Sequence, residues 1–180
     1  MDWSGKKVAI TGAAGFIGSH LCERLVDLGA DVTALVRYNS RGSYGFMDDF
    51  AKETQDKINV VLGDITDQNI FRAVLPGMEV VFHLAAQSLV RRSYRLPVET
   101  FATNVLGTVT LLDLVRQTEG VRAVVVATSD KAYENAGQIW GYRETDPMGG
   151  HDPYSASKGA AEIATATIAR CSAFIFHPFP

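Results

Sequence analysis

The sequence predicts an α/β protein in which a doubly wound parallel sheet carries helices on both faces. Five short apolar runs alternate with segments whose apolar residues recur at helical spacing, and no internal repeat interrupts this order. The first run also ends in a glycine-rich stretch that opens a helix, an arrangement typical of dinucleotide-binding sheets. The predicted strands are residues 6–11, 31–36, 58–62, 79–84 and 121–127.

The composition indicates one globular domain that is long enough to bury a core. The chain has 180 residues, of which 47% are hydrophobic and 21% charged, with a net charge of -3. A negative charge argues against nucleic acid as a partner. Cys22 and Cys171 lack metal-ligand spacing, so neither a disulfide framework nor a metal site is predicted. Without a secretion signal or an apolar run near the ~20 residues of a membrane span, we expect a cytoplasmic protein without membrane contact.

The first strand leads into the sequence GAAGFIG, whose glycines are Gly12, Gly15 and Gly18. A strand that turns through glycines into a helix lets backbone N–H groups approach a pyrophosphate, and the helix dipole favours the negative charge. The following segment keeps helical spacing up to Gly29. The alternative is a tight turn without a ligand. The context on both sides favours a dinucleotide site.

The end of the second strand is where such a fold selects its cofactor. An Asp or Glu there binds the ribose 2′-hydroxyl of NAD, whereas an Arg accommodates the 2′-phosphate of NADP. This sequence has Arg37 at that point, and no acidic residue among the four that follow it. The residues alone therefore weaken the case for NAD and favour NADP, unless Arg37 stacks on the adenine or faces solvent.

The third strand leads to Asp64 and Ile65, and the fourth to Ala85 and Ala86. Asp64 can reach an adenine amino group while Ile65 packs on the ring, or Asp64 can instead cap the helix that follows. The two alanines leave room for a cofactor ribose. His83 lies inside the fourth strand, which favours a packed core histidine over a catalyst.

A long helix is predicted over residues 97–117, with a polar residue, Asn104, in its interior. If Asn104 faces the sheet, its amide binds a strand backbone or a water molecule, and otherwise it is exposed. The apolar positions of this helix are Phe101, Val105, Val109, Leu112 and Val115.

The fifth strand, which we expect to be buried, leads into a hydroxyl, a carboxylate and an amine at Ser129, Asp130 and Lys131. Tyr154 and Lys158 follow at a spacing of four, so a helix places both on one face. A tyrosine phenol ionises near pH ~10 in water, and a cation nearby in a dry pocket stabilises the phenolate as a base. The pair alone is a weak signal. Ligands of doubly wound sheets bind beyond the strand ends that these residues follow, which favours a catalytic role.

The motifs GAAGFIG, GDI, HLAA, NVLGT, TSDKAY and YSASK together resemble the extended short-chain dehydrogenase/reductase family, which includes nucleotide-sugar epimerases and dehydratases. The resemblance extends to about residue 170. Residues 85–108 and 128–162 are most similar to the CDP-glucose 4,6-dehydratases, whereas residues 34–46 look more like other nucleotide-sugar dehydratases. The resemblance implies a Rossmann-like dinucleotide-binding domain and a nucleotide-sugar substrate.

The reaction that the resemblance implies is 4,6-dehydration of the sugar. Tyr154, with Lys158 and Ser129, would take the C4 hydroxyl proton while hydride passes to a nicotinamide cofactor. Asp130 would protonate the departing C6 hydroxyl, and Lys131 stands where dTDP-glucose dehydratases carry a glutamate base. The alternatives are a 4-epimerase or decarboxylase, which needs the Tyr–Lys pair alone, and an NAD(P)-binding remnant without turnover.

The resemblance also implies a cofactor and an oligomeric state. It favours NAD, with NADP close behind, because the resembled dehydratases use NAD without an acidic residue after the second strand. It implies a homodimer in which the 97–117 helix and the Tyr154 helix form a four-helix bundle with their symmetry mates. The implied cofactor-binding residues are Gly12, Gly15, Phe16, Ile17, Gly18, Arg37, Asp64, Ile65, Ala85, Ala86, Gln87, Asn104, Thr128, Tyr154 and Lys158.

The end of the sequence departs from this family. Its members continue with a sixth strand and a smaller lobe that binds the sugar nucleotide, which residues 172–180 (SAFIFHPFP) do not resemble. We therefore expect a dinucleotide-binding domain over residues 1–170, an atypical tail at 171–180 and no substrate lobe. A truncated gene product, a frame change or a fragment would each account for this ending.

Overall fold

The computed structural model describes the backbone of residues 2–176 and the side chains of residues 2–171. The chain divides into two compact units, one comprising Met1–Ala85 and Leu114–Ala127 and the other Ala86–Asp113 and Thr128–Pro180. One domain over residues 1–170 stays a prediction, and the predicted tail at 171–180 extends outside the described residues.

The first unit is built on a parallel five-stranded sheet with the strand order β3-β2-β1-β4-β5. The predicted doubly wound α/β class is therefore confirmed. Each strand was predicted within two residues of its observed ends, because short β-branched runs bounded by glycine and polar residues are a strong strand signal. The strands are β1 (Lys7–Thr11), β2 (Asp31–Val36), β3 (Ile58–Leu62), β4 (Val80–His83) and β5 (Ala123–Val126).

The core of the first unit lies under β1 and β2. Val8, Ile10 and Val32 are fully buried there, together with Cys22 and Leu25 of helix α1 (Phe16–Asp27). Strands that are apolar on both faces belong in the centre of a parallel sheet. The remaining helices of this unit are α2 (Lys52–Gln55) and α3 (Gln68–Val74), with a 3₁₀ turn at Gly45–Asp49.

The prediction that the fifth strand is buried was wrong. β5 alternates exposed and half-buried positions, and Val125 is 48% exposed. The reason is its place in the sheet, because β5 pairs with β4 and lies at the edge of the described strands. An apolar run specifies a strand but does not specify what covers it.

The predicted 97–117 helix consists of three consecutive segments, α5 (Pro97–Phe101), a π-helical turn (Ala102–Leu106) and α6 (Gly107–Val115). By length and composition alone Pro97–Val115 would suffice to cross a membrane, contrary to the expectation from the sequence. Core helices of soluble proteins pass the same test. The stretch buries three polar residues, Thr100, Asn104 and Thr108, as a packed helix does.

The second unit is helical. Its longest element, α7 (Pro153–Phe176), packs against α4 (Val90–Arg95), α5, the π-helical turn and a 3₁₀ turn at Asp130–Ala132. Both segments that carry the predicted catalytic residues therefore meet within one unit.

Candidate active site

The glycine-rich loop follows β1 in the first unit, and its glycines have different roles. Gly12 has φ +72°, and a Cβ there would lie 2.7 Å from the backbone nitrogen of Ala85. A Cβ on Gly18 would overlap the carbonyl oxygen of Gly12. Gly15 is exposed with φ -78°, and its Cβ would meet only the Gly12 oxygen, at 3.2 Å. Gly12 and Gly18 therefore shape the loop, whereas Gly15 leaves an open surface above it.

The start of α1 suits an anionic ligand. Its first turn has no side-chain cap and no acidic residue, so its N–H groups are available to a negatively charged partner. The side chains of Phe16 and Ile17 are exposed beside it. These features fit the pyrophosphate of a dinucleotide.

His83 has a structural role, as predicted. Its ring is buried, and Nδ1 lies 2.8 Å from Oγ1 of Thr11. The same hydroxyl oxygen accepts a hydrogen bond from the backbone N–H of Ala85 at 3.1 Å. The Thr11 side chain thus fixes the segment after β4 beside Gly12.

Arg37 and Asp64 lie together at the ends of β2 and β3, with Nε of Arg37 3.3 Å from Oδ2 of Asp64. Burial alone would raise the pKa of Asp64, but hydrogen bonds from Thr66 and the Arg37 charge outweigh it, so the pKa lies below its ordinary 3.8. Asp64 is not the cap of α3, because Asp67 accepts the capping bond. Ile65 is buried and offers little surface to a ligand.

In the second unit, the buried side chain of Asn104 is hydrogen-bonded both to Gln87 and to Ser157 of α7. Its Oδ1 accepts from the Gln87 N–H at 2.7 Å, and its Nδ2 donates to the Gln87 carbonyl at 3.0 Å and to Oγ of Ser157 at 2.8 Å. The expected bond to a backbone is present, although it goes to the loop after β4 and not to a strand. The Gln87 amide donates in turn to Thr100 and to the Leu89 carbonyl. Roles of Asn104 and Gln87 in cofactor binding stay predictions.

Ser129 is the N-cap of the 3₁₀ turn at Asp130–Ala132. Its Oγ accepts a hydrogen bond from the Lys131 N–H at 3.2 Å and donates to Oδ1 of Asp130 at 3.1 Å. The side chains of Asp130 and Lys131 are exposed, whereas Ala132 is fully buried. The buried Ala132 therefore anchors the turn, while the charged groups of Asp130 and Lys131 are exposed to solvent. Thr128 precedes it and is half-buried.

Tyr154 and Lys158 lie in the first two turns of α7, at the predicted spacing of four. Tyr154 is half-buried, and Lys158 is only 7% exposed. Burial lowers the pKa of Lys158 below its ordinary 10.5, because removing an ammonium from water disfavours its charge. This region of the chain therefore presents a phenol and a buried amine on one helix face.

Gly159 was not singled out from the sequence, yet it brings α7 close to the 3₁₀ turn at Asp130–Ala132. A Cβ at this position would lie 3.2 Å from the carbonyl oxygen of Ala132. A glycine inside a helix costs roughly 1 kcal/mol relative to alanine, so its presence was a signal of close packing. The structure therefore brings Tyr154 and Lys158 to the same region as Asp130 and Lys131, through the Gly159–Ala132 contact.

Asp152 was also missed, although an Asp before a proline at a helix start is a recognised capping pattern. Its Oδ1 accepts from the Ser155 N–H at 2.9 Å and its Oδ2 from the Ser155 hydroxyl at 2.7 Å. Burial alone would raise the pKa of Asp152, but these hydrogen bonds, a further one from the Tyr154 N–H and the Lys131 charge hold it below its ordinary 3.8. The cap thus sets the start of the helix that carries Tyr154.

We predict that Asp152→Ala destabilises the protein by about 1 kcal/mol at pH 7, the usual cost of a lost helix cap. Because folding lowers the pKa of Asp152, its stabilisation is present above pH 3.8 and is lost as the pH falls through the folded value. Urea unfolding at pH 7 and at pH 3 measures both effects. Equal stability of the variant and the unmutated chain at pH 7 would contradict the capping role.

The sequence of this chain is similar to known nucleotide-sugar dehydratases and epimerases. Residues 9–175 match the model of the family described as GDP-mannose 4,6 dehydratase. The chain is 46% identical over 165 residues to a CDP-glucose 4,6-dehydratase of Salmonella typhimurium, a match that covers 89% of this chain and 45% of the relative. It is 35% identical over 158 residues to a UDP-glucose 4-epimerase of Mycolicibacterium smegmatis, with coverages of 87% and 49%.

Solved structures of nucleotide-sugar enzymes are also similar to this chain. A dTDP-glucose 4,6-dehydratase from Streptomyces venezuelae, DesIV, with NAD and TYD bound, has a TM-score of 0.81 and 30% identity, over 91% of this chain and 52% of that one. MoeE5 in complex with UDP-glucuronic acid and NAD has a TM-score of 0.75 and 34% identity, over 91% and 49%. The chain spans about half the length of these relatives. It belongs to the GDP-mannose 4,6 dehydratase family, within the extended short-chain dehydrogenase/reductases.

Proposed function

We propose that this chain contains the cofactor-binding and proton-transfer residues of a nucleotide-sugar 4,6-dehydratase acting on a CDP-glucose-like substrate. The observation that carries the proposal is the packing of α7, with Tyr154 and Lys158, against the turn of Asp130 and Lys131. The Tyr–Lys pair serves oxidation of the sugar. Elimination of water needs, in addition, an acid and a base, which Asp130 and Lys131 would supply. The 46% identity to a CDP-glucose 4,6-dehydratase supports the choice of substrate.

NAD is the cofactor that we propose. The open surface at Gly15 and the uncapped start of α1 fit a pyrophosphate, and two solved relatives hold NAD. Reversible hydride transfer is the chemistry that the cofactor would supply. The chain's own residues would bind it, orient the sugar and move the protons.

Oxidation at C4 of the sugar needs a base for the hydroxyl proton. Tyr154 takes this proton, and the buried amine of Lys158 on the same helix face stabilises the phenolate. Ser129 orients the sugar hydroxyl through its Oγ, which exchanges its bond to Asp130 for one to the substrate. The resulting 4-keto group acidifies the proton on C5.

Elimination then removes one molecule of water across C5 and C6. The Lys131 amine takes the C5 proton, and the Asp130 carboxylic acid donates a proton to the C6 oxygen as the C6–O bond breaks. Lys131 would then return the proton to C5 while the cofactor would supply hydride to C6, which gives a 4-keto-6-deoxy sugar. Both side chains are exposed on the turn, where they are accessible to a substrate.

Titrating the purified 180-residue chain with NAD, NADP and CDP-glucose tests the proposal. Calorimetry is expected to show cofactor binding to this chain and, in a form that spans the full length of its relatives, binding of CDP-glucose as well. In that longer form, cofactor binding without sugar-nucleotide binding would favour a module without turnover. Conversion of UDP-glucose to a 4-epimer without loss of water would favour the epimerase alternative.

We also propose that the protein is a cytoplasmic homodimer. Its second unit exposes apolar side chains on the helical stretch that begins at Pro97 and on α7, among them Val98, Leu106 and Ile163. Such surfaces mark association sites. Cys22 and Cys171 are free thiols, as expected in a reducing compartment. Light scattering at micromolar concentration is expected to give twice the chain mass, and a monomer mass would contradict the dimer.

A further inference from the structure

The ends of β2 and β3 bring two opposite charges together. The strands pair in register up to Val36 and Leu62, and the Gly63 N–H donates to the Val36 carbonyl at 3.0 Å. A Cβ on Gly63 would come within 2.5 Å of the Ile70 side chain, so a larger residue here would require that side chain to move. Arg37 and Asp64, the residues that follow Val36 and Gly63, are therefore held as neighbours by the sheet itself.

The Asp64 carboxylate is oriented by its own loop. Its Oδ1 accepts hydrogen bonds from the Thr66 N–H at 2.9 Å and from the Thr66 hydroxyl at 2.8 Å. Its Oδ2 lies 3.3 Å from Nε of Arg37. The side chains of Arg37 and Asp64 are 68% and 43% exposed, and ion pairs in such positions contribute little to stability. The pair therefore matters more for the charge of this edge than for the fold.

We propose that Asp64, through this pair, makes the site selective for NAD over NADP. An arginine after β2 would by itself favour the 2′-phosphate of NADP. The Asp64 carboxylate offsets the Arg37 charge and repels a phosphate that carries about -2 charges, whereas the 2′-hydroxyl of NAD is neutral. This inference rests on the proposed function, because it requires a nicotinamide dinucleotide at the glycine-rich loop.

Calorimetric titration of the 180-residue chain with NAD and with NADP tests the inference. Asp64→Asn keeps an oxygen acceptor for Thr66 and removes the charge. We expect NADP to bind about tenfold more tightly to this variant, the size of effect that a nearby solvent-screened charge produces. NAD affinity should change less than NADP affinity does, and raising the ionic strength should reduce the gain for NADP.

Two further variants make the test specific. Arg37→Ala should weaken NADP binding more than NAD binding, and reduce the gain that Asp64→Asn produces when the two changes are combined. Asp56→Asn is the matched control, because it removes the same charge from an exposed pair with Lys52 in the same unit. It should leave the ratio of NADP to NAD affinity unchanged.

An unchanged affinity ratio in Asp64→Asn would overturn the inference. Equal losses for NAD and NADP would also overturn it, by assigning Asp64 a direct contact with the shared adenine. Absence of binding of either cofactor to the unmutated chain would contradict the proposed function and this inference with it. Thermal unfolding of each variant shows whether the fold is retained.

Discussion

Asp130→Asn is expected to slow release of the 4-keto-6-deoxy product by ~10²–10⁴-fold while leaving oxidation at C4 in place. The change keeps the shape of the side chain and an oxygen that can accept the Ser129 hydrogen bond, but removes the transferable proton. General acid catalysis has this magnitude, which corresponds to about 3 to 5 kcal/mol of activation free energy. In the proposed mechanism, oxidation depends on Tyr154, Lys158 and Ser129, and does not need the acid.

The measurement requires a form of the protein that spans the full length of its relatives. Adding CDP-glucose should produce the absorbance of reduced nicotinamide in Asp130→Asn, followed by slow product release. Tyr154→Phe should show neither step, because it removes the base for the C4 hydroxyl. Turnover of Asp130→Asn at the unmutated rate would contradict dehydration through this turn, and the epimerase alternative would then be favoured.

Gly15→Val is expected to abolish dinucleotide binding while the fold survives. The backbone at Gly15 has φ -78°, which valine adopts, and its Cβ would meet only the Gly12 oxygen, at 3.2 Å. The branched side chain would instead occupy the open surface where the pyrophosphate has to approach. We expect the affinity for NAD to fall by more than about 100-fold, a loss of about 2.8 kcal/mol.

Calorimetry with NAD and a thermal unfolding curve test this prediction together. Gly141→Val is a matched control, because a Cβ at Gly141 meets nothing within 4 Å and its φ lies outside the left-handed region. Gly18→Val is expected to lose the fold as well, since its side chain would overlap the Gly12 carbonyl. Unchanged NAD affinity in a folded Gly15→Val chain would rule out the glycine loop as the dinucleotide site.

The elements of this protein were predictable because their signals are local. β-branched runs, glycines with special conformations and helical spacing act over a few residues, so the strands and the Tyr154–Lys158 helix were placed correctly. The π-helical turn at Asn104 was not predicted, and the contacts of the Asn104 side chain are not local. Asn104 is bonded to Gln87 and Ser157, which lie 17 and 53 residues away in the chain.

The sequence by itself determined the order of strands and helices, the glycine loop and the identities of the catalytic candidates, because each depends on neighbouring residues. Only the tertiary structure decided that β5 lies at an edge, that Gly159 brings α7 to Ala132, and that Asp64 pairs with Arg37. Each of these depends on residues that folding brings together from distant positions. From the sequence, Arg37 favoured NADP, and the carboxylate that alters this expectation lies 27 residues further along, on the neighbouring strand end.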